Sequence, residues 1–313
     1  MSFRRFLIII MIFLLCPMAQ AQRPRVVAYL KYNSISRFDP GSLDYIDELI
    51  YKLIRPKANG ELGILPTAIS DIRMLNEERK EYPELKLLIG VGGAQINSEH
   101  FAALASNQSS RENFSLNLAE FCKTNNLQGA DIDWEYPKSK QDQDNAVLLF
   151  QELKKVFGKR GLMLTTALNY SKEQVHLLSL LIDNIDQAHL MTYEPLHYLN
   201  LPTFKERFEH GVQNVIEAGI SRDRVVFGVP FFGISGKSEK TMPYRKIVEL
   251  YQPPREADLV DGFDFMGGAT IRKTAQFIKD ENWGGIMFWE LGFDEKVDSP
   301  MSLLMEIERG FNK

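Results

Sequence analysis

Gly129-Ala130-Asp131-Ile132-Asp133-Trp134-Glu135-Tyr136-Pro137 is where the reading of this 313-residue chain begins. In an extended strand the side chains alternate. Asp131, Asp133 and Glu135 therefore share one face, and Ile132 and Trp134 share the other. Three carboxylates on one strand face are costly if all are charged and dry, so a segment selected only for packing would not carry them. Crowding of like charge is expected to raise the pKa of at least one carboxyl. That keeps it protonated near neutral pH, the state a general acid needs. Glu135 is the last of the three, nearest the C-terminal end of the strand.

Working outward, short β-rich runs alternate with helical patterns. The runs are Val26–Leu30, Leu49–Ile54, Leu85–Val91, Gln128–Tyr136, Leu162–Asn169, Ala188–Tyr193, Val225–Phe231 and Gly284–Trp289. Several lack polar/apolar alternation, as parallel strands covered on both faces do. Helical patterns fall at Ile69–Lys80, Arg111–Thr124, Gln143–Phe157, Ser171–Ile185, Thr203–Ala218 and Thr270–Lys279, and Ser299-Pro300 reads as the start of a last one. Eight strands alternating with helices specify an α/β chain, a single (β/α)8 TIM barrel. The carboxylate run is its fourth strand, and the end carrying Glu135 is the face on which such barrels place their chemistry. No Gly-rich dinucleotide or phosphate loop follows the first strand. Residues 233–268 read as loops with a short helix near Tyr244–Tyr251.

The first 21 residues are set apart. Arg4 and Arg5 precede the unbroken apolar run Phe6–Leu15, and Ala19-Gln20-Ala21 follows as a small-residue cleavage site. The run is too short to span a bilayer. The expectation is a cleaved export signal over residues 1–21, a mature barrel over 22–313, and a secreted or periplasmic location. Leu15 stands before Cys16 where lipid attachment would require a small residue, so no lipid anchor is expected. Cys122, in the apolar pattern Phe114, Leu118, Phe121, reads as a packing thiol. A net charge of −4 argues against nucleic acid or an anionic membrane as partner. The histidines His100, His176, His189, His197 and His210 show no paired ligand spacing, so neither a metal nor a cofactor is expected, and the chain reads as a monomer.

Six segments together resemble glycoside hydrolase family 18, the chitinase-like and endo-β-N-acetylglucosaminidase-like barrels. They are Val27-Ala28-Tyr29 on the first strand, Gly90-Val91-Gly92-Gly93 on the third, Ala130–Glu135 on the fourth, Met191-Thr192-Tyr193-Glu194 on the sixth, Gly228–Gly233 on the seventh and Gly285–Gly292 on the eighth. The resemblance implies a retaining glycosidase that cleaves β-1,4 links beside N-acetylglucosamine, with the substrate's own acetamido group as nucleophile. By the same resemblance Glu135 is the acid, Asp133 the holder of the acetamido N–H, Asp131 its support, and Tyr193 the donor to the acetamido oxygen. Trp289 would floor the reacting sugar, and Tyr29, Met191, Glu194 and Tyr136 would line the site. The partner implied is an oligo- or polysaccharide containing N-acetylglucosamine. Chitin, an N-glycan core, or binding without turnover remain three readings of that ligand.

Three positions depart from the family pattern. Gln128 replaces the first Asp of the fourth-strand motif, Gly90 the Ser of the third, and Glu194 the Asp after the sixth-strand tyrosine. The first two are expected to alter the polar network under Asp131 and Asp133. The brevity of 233–268 leaves no place for the large α+β insertion that walls many relatives, and an open cleft is expected.

Overall fold

The computed structural model describes residues 23–94, 98–196, 199–201, 203–236, 238 and 240–312. The expected export signal, Cys16 and His197 lie outside them. Strand β1 (Arg25–Lys31) is followed by β2 (Glu48–Pro56), whose end turns back on the short β3 (Leu62–Gly63). Then come β4 (Lys86–Gly92), β5 (Gly129–Asp133), β6 (Met163–Asn169), β7 (Gln187–Met191) and β8 (Val225–Pro230). Four short strands, β9 (Phe232–Ser235), β10 (Thr241–Pro243), β11 (Leu259–Val260) and β12 (Phe263–Asp264), precede β13 (Gly285–Trp289). The parallel order β1-β13-β8-β7-β6-β5-β4-β2 closes on itself where β1 pairs with β2. This is the expected (β/α)8 barrel. Every residue of β5, β7 and β8 is buried, which accounts for their lack of alternation.

Helices α1 (Ala68–Glu78), α2 (Ser98–Ser106), α3 (Gln108–Thr124), α4 (Lys140–Arg160), α5 (Lys172–Leu181), α6 (Phe204–Glu217), α7 (Tyr244–Tyr251), α8 (Gly268–Asp280) and α9 (Leu303–Phe311) accompany the strands. Local chemistry sets their ends. Ser139 with Asp142 and Thr203 with Glu206 form capping boxes at the starts of α4 and α6. Gly161 closes α4 in the left-handed conformation at φ 63°. Cys122 is fully buried in α3, with its thiol pushed up to about 12 by burial. Among the described residues no helix is long and apolar enough to cross a membrane.

Two expectations need correction. The last helix does not begin at Ser299-Pro300. Ser302 is its N-cap, and Asp294 takes up the backbone N–H groups of Leu303 and Leu304 at 2.9 Å each, so the preceding residues are turned away as a loop. Residues 233–268 are also more ordered than expected. Strands β9–β12 form a small antiparallel sheet in the order β10-β9-β12-β11, packed with α7, and this sheet rises over one side of the barrel mouth. It is far smaller than an insertion domain, yet it walls one flank of the cleft described next.

Candidate active site

Strand β5 ends at Asp133, so Trp134 and Glu135 leave the barrel as the chain turns outward. Trp134 points away from the barrel interior, stacks on Phe101 at 5.4 Å and donates its indole N–H to Ser98 at 2.7 Å. Asp131 and Asp133 point inward and are buried, and Glu135 is half-buried at the mouth. A cleft of about 780 Å³ opens there. Asp133, Glu135, Met191, Tyr193, Glu194 and Trp289 all line it, and the small sheet contributes Phe232, Ile234 and Thr241 as a side wall. Three cis peptide bonds, Lys52–Leu53, Glu135–Tyr136 and Trp289–Glu290, stand around it. Gly92 and Gly93 turn past Asp133 at φ 99° and 116°, the left-handed region that favours glycine. A Cβ on Gly93 would lie 3.4 Å from Asp133 Oδ2 and 3.9 Å from Glu135 Oε1, so both carboxyl groups reach to the same glycine.

Asp131 is fully buried beneath this glycine and is well supplied with donors. Thr165 Oγ1 donates to Oδ1 at 2.7 Å, Tyr29 Oη donates to Oδ2 at 3.0 Å, and His189 Nδ1 lies 3.5 Å from Oδ1. Tyr29 Oη and His189 Nδ1 are themselves 2.8 Å apart, and His189 is held from below by Gln187. Burial opposes ionisation of Asp131. The hydrogen bonds and charges of His189, Lys52 and Thr165 outweigh it and hold the carboxyl below its ordinary range. Asp133 is raised instead, by burial and by the neighbouring Asp131 charge, against the pull of Lys52. Glu135 is pushed up to about 9 by burial, with the charges of Asp133 and Glu194 adding to it. Asp133 and Glu135 are thus both raised, and Glu135 is the one at the mouth. Glu194 is itself raised to about 7 by burial.

Two residues expected at the ligand surface stand one layer behind it. Tyr29 is 2 % exposed: it supports Asp131 and packs its ring 5.8 Å from that of Trp289. Tyr136 donates its hydroxyl to Glu194 and so anchors that carboxylate from outside the cleft. Gln128, too, has other work than expected. Its Oε1 accepts from Leu87 N at 2.8 Å and from Arg79, which fastens the foot of the barrel, and it bonds to neither Asp131 nor Asp133.

The sequence reading missed Lys52. It is buried, lines the cleft and pairs its ammonium with Asp133 Oδ2. The available signal was a lysine inside the apolar run Leu49–Ile54, where a charge is expensive unless paired. His189, inside the run Ala188–Tyr193, is weighed in the sequence only as a metal ligand. Among the described residues no group of three or more His, Cys, Asp or Glu side chains is arranged to hold a metal.

Comparison with known proteins places this geometry. Probable chitinase 2 of Drosophila melanogaster is 27 % identical over 180 residues, covering 51 % of this chain and 37 % of that protein. An endochitinase of Brugia malayi is 26 % identical over 277 residues, covering 69 % and 55 % respectively. The chain thus spans about half the length of these relatives or less. The crystal structure of the GH18 chitinase ChiB of Flavobacterium johnsoniae superposes with a TM-score of 0.79 at 22 % identity, covering 92 % of this chain and 94 % of that one. The model of the glycosyl hydrolases of family 18 matches residues 25–294, which take in all eight barrel strands and every carboxylate of the cleft, so the chain belongs to that family.

Proposed function

We propose that the exported chain, freed of its first 21 residues, is a retaining glycosidase that cleaves β-1,4 links beside N-acetylglucosamine, with chitooligosaccharides as substrate. One observation carries this reading: Glu135, its carboxyl pushed up to about 9 by burial, stands beside Asp133 paired with an ammonium, in one cleft with the half-buried ring of Trp289. A pyranose face is apolar enough to lie on that ring. Glu135 gives its proton to the glycosidic oxygen as the bond to the anomeric carbon breaks. The acetamido carbonyl oxygen of the same sugar closes on that carbon, and Asp133 accepts the acetamido N–H and stabilises the positive charge of the ring so formed. Tyr193, buried against Phe232 at 5.9 Å, keeps the acetamido group in line for attack. Glu135, now ionised, takes a proton from water as that water opens the intermediate, and the starting configuration is restored.

Support comes from the family's substrate-assisted chemistry, and from the solved structure of a Cycas revoluta chitinase in complex with (GlcNAc)3, which has the same fold. The test is hydrolysis of chitotetraose by residues 22–313, beside Glu135→Gln. Cleavage is expected in the first and a loss of about 10²–10⁴-fold or more in the second. Binding of the tetramer without cleavage by the wild type would sink the hydrolytic reading for chitin and leave a binding protein or an enzyme for N-glycans.

A further inference from the structure

Lys52, Gly90 and Asp131 lie abreast on three neighbouring strands, β2, β4 and β5. To reach Asp133 from β2, the lysine side chain must cross the inner face of β4. It does so over Gly90. A Cβ built there would stand 2.6 Å from Lys52 Cγ, closer than such atoms approach, and 3.0 Å from Cε, a tight contact. Cγ lies near the root of the side chain, and the chain around it is buried, so it cannot simply swing away. We propose that Lys52 is the positioning residue of Asp133, that its ammonium does the work that a strand-borne hydroxyl at position 90 would otherwise do, and that Gly90 is glycine to let it through.

The surroundings of the ammonium support this. Asp131, Asp133 and Glu135 face it from β5 and its run-out, and Tyr29 faces it from β1. Tyr193 and Glu194 stand beyond β7, and the ring of Trp289 is 5.6 Å away at the end of β13. Every charged group in that set is a carboxylate, and the one in contact is Asp133. A buried ammonium with one bonded partner contributes little to stability. What it does is hold Oδ2 of Asp133 in place and favour the ionised form of Asp133 beside Glu135. The other oxygen, Oδ1, is buried and has no hydrogen-bond partner among the described residues. Charge on the intermediate develops after binding, so Lys52 should act on kcat more than on KM.

The inference rests on the hydrolase reading, and a cycle on chitotetraose tests it. Lys52→Ala alone is expected to lower kcat by about tenfold or more with KM within about threefold. Removing the ammonium raises the pKa of Asp133, so activity should be lost at a higher pH on the acid side. Gly90→Ser should lower activity in the wild type, where it drives into Lys52, and raise it in the Lys52→Ala background, where its hydroxyl can reach Asp133. A change of sign of that kind marks direct coupling. Gly90→Ser acting in the same direction in both backgrounds, or an acid limb that does not move, would overturn the proposal. If the single variants do not fold, the wild type still decides the matter. Lys52 is the one buried lysine among the described residues. Its nitrogen resonance should report a slowly exchanging ammonium from pH 5 to 8, and a neutral amine there would refute the ion pair. This last measurement needs no turnover, so failure of the hydrolase reading and failure of the lysine reading are told apart.

Discussion

Asp131 and Glu135 come from one short stretch of chain, yet the two ends of that stretch treat a carboxyl group in opposite ways. At the inner end Asp131 is the more deeply buried of the two, and burial alone would raise it. Donors from three other strands, Tyr29, Thr165 and His189, together with the Lys52 charge, reverse the outcome. At the mouth Glu135 meets no such ring of donors. Burial raises it to about 9, and the charges of its near neighbours Asp133 and Glu194 add to that rise. Burial pushes both carboxyl groups the same way, and the partners decide whether it prevails. One short stretch thus carries a carboxyl held below its ordinary range and another raised above it, the division of labour that two carboxyl groups need if one is to act as acid.

If donors make the difference, removing one from the inner end should be felt first as lost stability. Thr165→Val keeps the shape and deletes the 2.7 Å hydrogen bond to a fully buried carboxylate. The expected cost is about 1–3 kcal/mol, read as a lower denaturant midpoint at neutral pH. A loss of under about 0.5 kcal/mol would mean that Tyr29 and His189 suffice, and that the ring is redundant.

At the mouth the comparison sharpens through Tyr136. Its hydroxyl lowers the pKa of Glu194, which otherwise rises by burial. In Tyr136→Phe, Glu194 should hold its proton to a higher pH, and its charge would then no longer help to raise Glu135. Glu135 must be protonated to act, so activity is lost as pH rises through its pKa. The variant's basic limb should therefore move to lower pH, by less than about one unit. A basic limb that moves upward, or stays in place, would show that Glu194 does not govern the acid.

Much of this was legible in the chain because it is written in neighbouring residues. Alternation put Asp131 and Asp133 on the inner face and Trp134 on the outer one. The eight runs gave the barrel, and Thr203 and Ser171 marked the starts of their helices. What was not legible is written across strands. Lys52 reads as an ordinary residue of β2, and its partner lies 81 positions away. Gly90 reads as the loss of a hydroxyl until the lysine passing over it is seen. Gln128 reads as part of the acidic motif, but its side chain turns to Arg79. The strands of the small sheet are two to four residues long, too short to show a period. Ser299 and Ser302 both qualify as caps, and the choice was made by Asp294, a residue outside the helix.

The smallest effect expected is also the one that separates the two ends by thermodynamics alone. Glu135 has its pKa raised from 4.5 in the free state to about 9 in the folded one. Between those values the folded protein holds a proton that the unfolded chain has released. The stability this group contributes is fully present below about pH 4.5 and is lost as pH rises through about 9. Glu194 and Asp294, each raised to about 7, slope the same way. Asp131, with a lowered pKa, has the opposite sign: its contribution is present above the ordinary carboxyl range and is lost only in acid. Glu135→Gln removes one of these slopes and leaves the others in place. The difference in denaturant midpoint between variant and wild type should thus grow in the variant's favour from pH 5 to pH 9. The gain is smaller than the full shift implies, because Glu135 is incompletely buried at the mouth and solvent screens part of it. Parallel curves would mean that Glu135 titrates as an ordinary carboxyl, and the contrast between the inner end and the mouth would lose its second half.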